Sequence, residues 1–441
     1  MSTITTVTST ATRLKEKIQN KTAKIGIVGL GYVGLPLAVE FGHAGFEVIG
    51  IDIQQSKVDE INRGVSYIQD IPTEQVRELV KSGKLRATTD FSVIKELDTI
   101  NICVPTPLRK TKDPDMSFID SASREIAKYF HDGLLVILES TTYPGTTDEV
   151  LLPMFEEQGY KVGENFFLCF SPERVDPGNA KFQTKNIPKV VGGTTAACTE
   201  LGKLFYEQAL ETVVPVNGTQ VAEMVKLLEN TFRMINIGLA NEMALMCDRM
   251  GINVWEVIDA AATKPFGFMA FYPGPGLGGH CIPIDPYYLS WKSRQSGIEA
   301  RFIELAGQIN GFMPHFVVEK VQNALNDHSK PLKGSHVHVI GAAYKRNIDD
   351  VRESPALDVI HLLERRGSKV TYSDPYVPSI KIDGIVYQNE DLLPAAKIAD
   401  CCVIITDHAD FNYTALVDSA KLIVDTRNSL KNIKSEKIVR L

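Results

Sequence analysis

One short stretch constrains this chain more than any other. The apolar run Ile25–Val28 leads into Gly29-Leu-Gly31-Tyr32-Val33-Gly34. Leu35–Gly45 then reads as a helix closing on a glycine, and Phe46–Ile51 as a second strand ending at Asp52. That order of periods predicts a βαβ unit with a glycine turn at its first strand-to-helix junction. Each glycine has its own task there: Gly29 for the tight turn, Gly31 for close approach of backbone N–H groups to a pyrophosphate, Gly34 for helix against strand. The helix N-terminus adds positive potential toward an anion. Asp52, eighteen residues beyond Gly34, stands where a carboxylate accepts hydrogen bonds from ribose hydroxyls and repels a 2′-phosphate. No Arg follows in Ile53-Gln54-Gln55-Ser56, so the cofactor expected is NAD rather than NADP. The plainer alternative is that Asp52 caps a turn.

Further strand-like runs at Thr99–Val104, Leu134–Leu138, Phe166–Phe170 and Lys189–Val191 alternate with helix-length amphipathic stretches, the pattern of a mostly parallel sheet. A dinucleotide-binding domain is therefore expected over residues 20–215. From Gly218 to about Ile258 the chain reads as one long helical region without proline, apolar at Val221, Met224, Val225, Leu228 and Phe232. Residues 216–325 are expected to form a helical region that buries a dimer contact, the alternative being packing within one chain.

Strand and helix signals resume at Val337–Gly341, Pro355–Arg366, Lys369–Tyr372 with Asp374, Cys402–Thr406 and Leu422–Asp425, predicting a second α/β domain over 326–441. Its Gly341-Ala-Ala-Tyr344-Lys345 lacks the glycine spacing, so no second dinucleotide is expected there. The fold class is thus α/β, two Rossmann-like doubly wound domains joined by a long-helix central region. Residues 1–19, beginning with the Ser/Thr-rich stretch Ser2–Thr12, are expected to be a flexible arm.

Composition removes several classes of function. A net charge of −7 argues against nucleic acid as main partner, since a polyanion calls for a basic surface. No apolar run suits a signal peptide or a bilayer span, which points to the cytoplasm and no membrane partner. Seven scattered cysteines without a Cys-x-x-Cys pair encode neither a disulfide framework nor a metal site.

The most unusual stretch is Gly276-Leu-Gly278-Gly279-His280-Cys281-Ile-Pro283-Ile284-Asp285-Pro286. It reads as a loop with Pro286 at the first helical position and Asp285 as N-cap, which sets Cys281 just before a helix start, where a thiolate is stabilised. An isolated cysteine is more often a small core hydrophobe, but glycines beside it would let a substrate approach the sulfur. For Asp285 a capping and a catalytic role stand side by side. Lys226 and Asn230, four apart on the long helix, share a face. They read either as a solvated face or as an ammonium and an amide that stabilise an oxyanion.

Six motifs spread over nearly the whole chain resemble those of the UDP-glucose/GDP-mannose dehydrogenase family, the nucleotide-sugar 6-dehydrogenases. They are Gly29-Leu-Gly31-Tyr-Val-Gly34-Leu-Pro36, Ser140-Thr141, Ser171-Pro172-Glu173-Arg174, Glu223-x-x-Lys226-x-x-x-Asn230, Gly278-Gly279-His280-Cys281-x-Pro283-x-Asp285, and Tyr344-Lys345 followed by Asp350-Val-Arg352-Glu-Ser-Pro355. The resemblance implies four-electron oxidation of the C6 hydroxymethyl of a UDP-sugar by NAD. In it Cys281 is the nucleophile, Lys226 and Asn230 the oxyanion donors, and Asp285 the group assisting the lysine and water, with Glu173 and Thr141 completing the site. It further implies a cofactor site that includes Tyr32, Val33, Pro105, Thr106, Thr141 and Arg352. Arg174, Tyr272, Gly278, Tyr344, Lys345 and Arg427 would contact the nucleotide-sugar, and Arg301 would reach substrate across a homodimer.

Members that use UDP-glucose commonly carry Lys at the position of Ile284. That departure, with Glu139-Ser-Thr-Thr-Tyr-Pro144-Gly, Arg174-Val-Asp176-Pro-Gly178-Asn and Lys264-Pro-Phe-Gly-Phe268, is similar to the branch acting on UDP-N-acetylglucosamine in surface-polysaccharide pathways. UDP-glucose and UDP-N-acetylmannosamine are the alternative substrates. A two-electron hydroxyacid dehydrogenase would share the glycine turn without needing Cys281. A non-catalytic NAD-sensing scaffold would keep Cys281 buried.

Overall fold

The computed structural model describes residues 9–68, 70–109, 111, 113–176, 179 and 181–441. It resolves two compact units, divided between Glu229 and Asn230. The division falls inside the helix Thr219–Met250.

The first unit is built on an eight-stranded sheet: β1 (Lys24–Val28), β2 (Glu47–Ile51), β3 (Leu85–Thr88), β4 (Thr99–Ile102), β5 (Leu135–Leu138), β6 (Phe167–Phe170), β7 (Lys189–Gly193) and β8 (Val213–Val216). Their order is β3-β2-β1-β4-β5-β6-β7-β8, all parallel except the β6/β7 pair. The chain reverses at β1, and Val28 pairs with Ile51 on one side and Ile102 on the other. This is the switch point beside which α/β sheets bind ligands. Both faces are buried, with side chains dividing by strand period: Leu135 and Ile137 join one core, Val136 and Leu138 the other.

Of the arm expected over residues 1–19, residues 1–8 lie outside the described residues, as do Pro177 and Gly178 of the Arg174–Asn179 motif. Thr10–Gln19 is a helix, not a flexible segment. Ser9 accepts from the Thr12 amide as its cap, Leu14 and Ile18 enter the core, and Lys15 and Lys17 pair with Glu200 and Asp98 at 2.8 and 2.6 Å. An i, i+4 apolar pair was enough to anchor it.

The long helical region expected over 218–258 is two helices. Thr219–Met250 stops at Gly251, whose φ of +68° is the left-handed conformation that ends helices. Asn253 then caps Val254–Ala261 through the Trp255 and Glu256 amides. Val221, Met224, Leu228 and Phe232 lie exposed along the long helix, Leu228 at 62%.

The second unit carries a parallel sheet in the order β10-β9-β13-β14-β15, built from β9 (His336–Ile340), β10 (Lys369–Ser373), β13 (Cys401–Ile404), β14 (Ile423–Asp425) and β15 (Ile438–Arg440). A hairpin of β11 (Ser379–Ile382) and β12 (Ile385–Gln388) stands apart from it. Asp374 follows β10 as Asp52 follows β2. Its Oδ2 accepts from the Ala342 and Ala343 amides and from His408 Nε2, and its Oδ1 from the Tyr376 and Val377 amides. The same position in the two sheets thus has different surroundings. Among the described residues no helix is long and apolar enough to cross a membrane.

Candidate active site

The glycine turn is explained by what a side chain would meet. Gly29 has φ +92°, and a Cβ there would lie 2.6 Å from the Cys103 carbonyl oxygen; at Gly34 it would lie 1.9 Å from the Gly29 oxygen. At Gly31 it would meet nothing within 4 Å. Two glycines are therefore demanded by the protein's own packing, while the middle one borders open space, as approach of a ligand to the backbone requires. Tyr32 is exposed and Val33 half-buried on this turn. In the loop after β4, Pro105 is exposed and Thr106 buried.

Asp52 is 7% exposed, with Oδ2 accepting from the Leu30 amide and Oδ1 from the Gln54 amide, both at 2.9 Å. Lys57 lies 3.3 Å from it. The turn-capping role is thus real, but an ionised carboxylate has about four acceptor sites, and a ribose hydroxyl can use the remainder. The turn, the free approach at Gly31 and this carboxylate fit a dinucleotide.

Lys226 and Asn230 are each 8% exposed, so the solvated-face alternative does not hold. Lys226 donates to the Thr141 hydroxyl. One turn earlier, Glu223 accepts from the Gly145 amide at 2.6 Å and from both the amide and the hydroxyl of Thr147, holding the loop that follows Thr141. Sequence reading placed Glu223 in a motif without giving it a task. Glu173 is buried, its Oε1 accepting from the Arg174 and Val175 amides and its Oε2 from Lys189 at 3.0 Å. Burial alone would raise that carboxyl, yet Lys189 and the two amides hold it below its ordinary value. The Arg174 guanidinium spans Glu229 and the Pro188 carbonyl.

In the second unit Asn230 donates to Asp285 Oδ2 at 2.7 Å. Asp285 is the first residue of the helix Asp285–Gln295, so the N-cap position falls on Ile284 and not on Asp285 as expected. The Asp285 amide donates to the Cys281 carbonyl at 2.8 Å, a bond that already closes a helical turn and starts the helix one residue earlier than the Asp-Pro pair suggests. Cys281 is exposed and the other six cysteines are buried, which removes the buried-core alternative for it.

The neighbouring glycines are also required by the protein's own packing. A Cβ at Gly278 would stand 2.5 Å from Tyr344 Cβ, and one at Gly279 2.7 Å from the Tyr344 ring. The Gly279 amide donates to the Arg352 carbonyl at 3.0 Å. These glycines seat Tyr344 and the 352–355 segment against the cysteine loop, since only a residue without Cβ fits there. The Arg352 side chain pairs with Asp350.

Arg427 is half-buried beside Gly274, and its Nε donates to the Ile405 carbonyl at 2.8 Å. Burial pushes this guanidinium down from its ordinary value, with Asp407 opposing. Arg427, Trp255, Tyr272, Pro273 and Lys431 line a cavity of about 370 Å³, where Tyr272 stacks on Trp255 and donates to Asp259 at 2.7 Å. Asn241 and Asn310, which no sequence motif marked, form a chain: Asn241 Oδ1 accepts from the Gly274 amide and its Nδ2 donates to Asn310 Oδ1. Lys345, next to Tyr344, is half-buried, while Arg301 is exposed at a helix start and pairs with Glu299.

A doubly wound sheet with this glycine turn and a carboxylate at the end of β2 defines the class, an NAD-dependent oxidoreductase. Comparison with known proteins resolves it further. The NAD binding domain of the UDP-glucose/GDP-mannose dehydrogenase family matches residues 23–210, its central domain residues 220–311, and its UDP binding domain residues 338–432. The chain belongs to this family. It is similar to a UDP-N-acetyl-D-mannosamine dehydrogenase of Pyrococcus horikoshii, 35% identical over 92% of this chain and 96% of the relative. A UDP-N-acetyl-D-glucosamine 6-dehydrogenase of Salmonella typhi is 34% identical over 88% and 90%. The solved structure of the P. horikoshii UDP-D-ManNAc dehydrogenase superposes with a TM-score of 0.87 at 34% identity, covering 95% of this chain and 98% of that one.

Proposed function

We propose that this enzyme oxidises the C6 hydroxymethyl group of a UDP-linked 2-acetamidohexose to the carboxylate, with UDP-N-acetylglucosamine as substrate and surface-polysaccharide synthesis in the cytoplasm as its setting. The observation that carries the reading is Cys281, which is exposed on a loop seated against Tyr344 while every other cysteine is buried. In this reading residues 20–215 hold NAD, 216–325 form the dimerisation region with its exposed apolar stripe, and 326–441 hold the nucleotide. NAD supplies the hydride acceptor for both oxidations.

The chain's own groups do the rest. Lys226, steered by Thr141, and Asn230, steered by Asp285, stabilise the oxyanions that form at C6. The Cys281 thiolate adds to the intermediate aldehyde to give a thiohemiacetal, whose oxidation leaves a thioester that water cleaves. Glu173 and Asp285 are the carboxylates of this centre. Arg427, Tyr272, Tyr344, Lys345, Arg174 and Gly278 hold the UDP-sugar, and Arg301 comes from the second protomer.

A second reading, UDP-N-acetylmannosamine as substrate, is favoured by the name of the P. horikoshii relative. Limiting amounts of UDP-N-acetylglucosamine, UDP-N-acetylmannosamine and UDP-glucose, each read as NADH formed and as carboxylate by mass spectrometry, separate them. Two NADH per UDP-N-acetylglucosamine, lost in Cys281→Ala with binding retained, is the expected result. One NADH per sugar rejects the covalent mechanism, and no NADH from any of the three rejects the proposed substrates altogether.

A further inference from the structure

Among the described residues three strands begin with lysine: β1 with Lys24, β7 with Lys189 and β10 with Lys369. Lys24 behaves as strand-end lysines do, 38% exposed and reaching surface carboxylates, and Lys369 is exposed as well. Lys189 is 3% exposed. Its Nζ donates to Glu139 Oε2 at 2.7 Å and to Glu173 Oε2 at 3.0 Å. Glu139, at the end of β5, is anchored from behind, its Oε1 accepting from Tyr206 and from Asn101, both at 2.6 Å. The ammonium also lies over the Tyr206 ring, 5.4 Å from its centre.

Two carboxylates and one ammonium buried together are a poor way to stabilise a sheet, because apolar residues of similar volume serve the fold as well. The strand that Lys189 opens is otherwise buried Val-Val-Gly-Gly. The cluster does have a geometric output. Of the four acceptor sites of the Glu173 carboxylate, two on Oε1 are taken by amides and one on Oε2 by Lys189, which leaves one.

We propose that Lys189 is a positioning residue of the reaction: bridging Glu139 and Glu173, it fixes the Glu173 carboxylate so that one Oε2 acceptor site alone is offered to the reacting groups. The inference rests on the reading that Glu173 belongs to the reacting centre. The groups around Glu173 are Lys189 from β7, Cys103 beyond β4, and its neighbour Arg174, itself paired with Glu229, while Glu139 beyond β5 and Tyr206 from the helix Ala196–Tyr206 meet it through Lys189. Lys189 is the cation that contacts the Glu173 carboxylate directly, so its removal should let that carboxyl titrate at higher pH.

The test uses full-length enzyme, NAD and UDP-N-acetylglucosamine, with kcat and KM followed from pH 5 to 9. Lys189→Met should lower kcat on the order of 10²-fold, leave KM for NAD unchanged, and move the acidic limb of the kcat profile upward. Lys189→Arg, which keeps the cation, should restore most of the rate and the position of the limb. If Lys189→Met does not fold, the double variant Lys189→Met/Glu139→Gln carries the test. It removes the like-charge pair that the single change leaves buried, and the same fall and the same displacement are expected. A limb that stays in place, or a rate that falls only with the folded fraction, overturns the proposal. An inactive wild type overturns the functional reading and this role with it, whereas an active wild type with unmoved variant profiles overturns this role alone.

Discussion

The cofactor turn offers a test in which two chemically identical substitutions should fail in opposite ways. At Gly34 an added methyl would sit 1.9 Å from the Gly29 carbonyl oxygen and 3.0 Å from Ile27 Cγ2. The nearer obstacle is backbone inside a tight turn, so no rotamer change relieves it, and Gly34→Ala should lose about 3 kcal/mol of stability or more. At Gly31 the same methyl meets nothing within 4 Å, and the φ is one that alanine adopts. Gly31→Ala should therefore stay within about 0.5 kcal/mol of wild type, a Tm shift of about 2 °C at most. If the pyrophosphate of NAD packs on that backbone, the methyl intrudes on the ligand instead, at about 1–3 kcal/mol by analogy with overpacking. Binding should then weaken by about 5- to 150-fold. Thermal melts of both variants and calorimetric titration with NAD decide the matter. Unchanged NAD affinity in Gly31→Ala, or a loss of stability equal to that of Gly34→Ala, would refute the assignment of this turn to the cofactor.

Wild-type enzyme should prefer NAD⁺ strongly over NADP⁺, and Asp52→Asn should narrow the gap in kcat/KM; comparable efficiency with both cofactors in the wild type contradicts the role of that carboxylate. Mixing Arg301→Ala with Cys281→Ala protein should recover activity after subunit exchange, because one mixed site would then be intact; no recovery after verified exchange argues against a shared site. Stability should also depend on His338, buried between Thr371 and Ser373, where desolvation first and His336 second lower its pKa from 6.5 to about 4. The folded state then resists protonation that the unfolded state accepts, so this contribution is complete above pH 6.5 and is lost as pH falls toward 4, by about 3 kcal/mol in all. Denaturant titrations of wild type and His338→Gln across that window should differ in slope; parallel curves would exclude the effect.

How much of this was legible beforehand follows from the range of the interactions. The glycine turn, the strands and the order of the elements are local: period-2 and period-3.6 apolar patterns and turn glycines act within a few residues, so Ile25–Asp52 could be read as βαβ without coordinates. The end of the long helix at Gly251 and the cap at Asn253 are local signals too, because a left-handed glycine followed by a capping asparagine breaks a helix as surely as proline does. Chemistry that depends on distant partners was not legible. Asp285 reads as an N-cap from its neighbours, and only the fold shows the bond its carboxylate accepts from Asn230, fifty-five residues earlier in the chain. Gly278 and Gly279 read as room for a substrate, and only the packing of Tyr344 shows that the protein itself also needs them to lack a Cβ. Lys189 opens an apolar strand as an unremarked charge, and its meaning arises when the sheet brings Glu139, Glu173 and Tyr206 around it, each from a different element and none nearer than sixteen residues in sequence. The sequence alone determined the cofactor fold and which residue types were at hand; burial, which makes a charge costly unless it is met, decided the pairing of those residues, and burial exists only once the chain has folded.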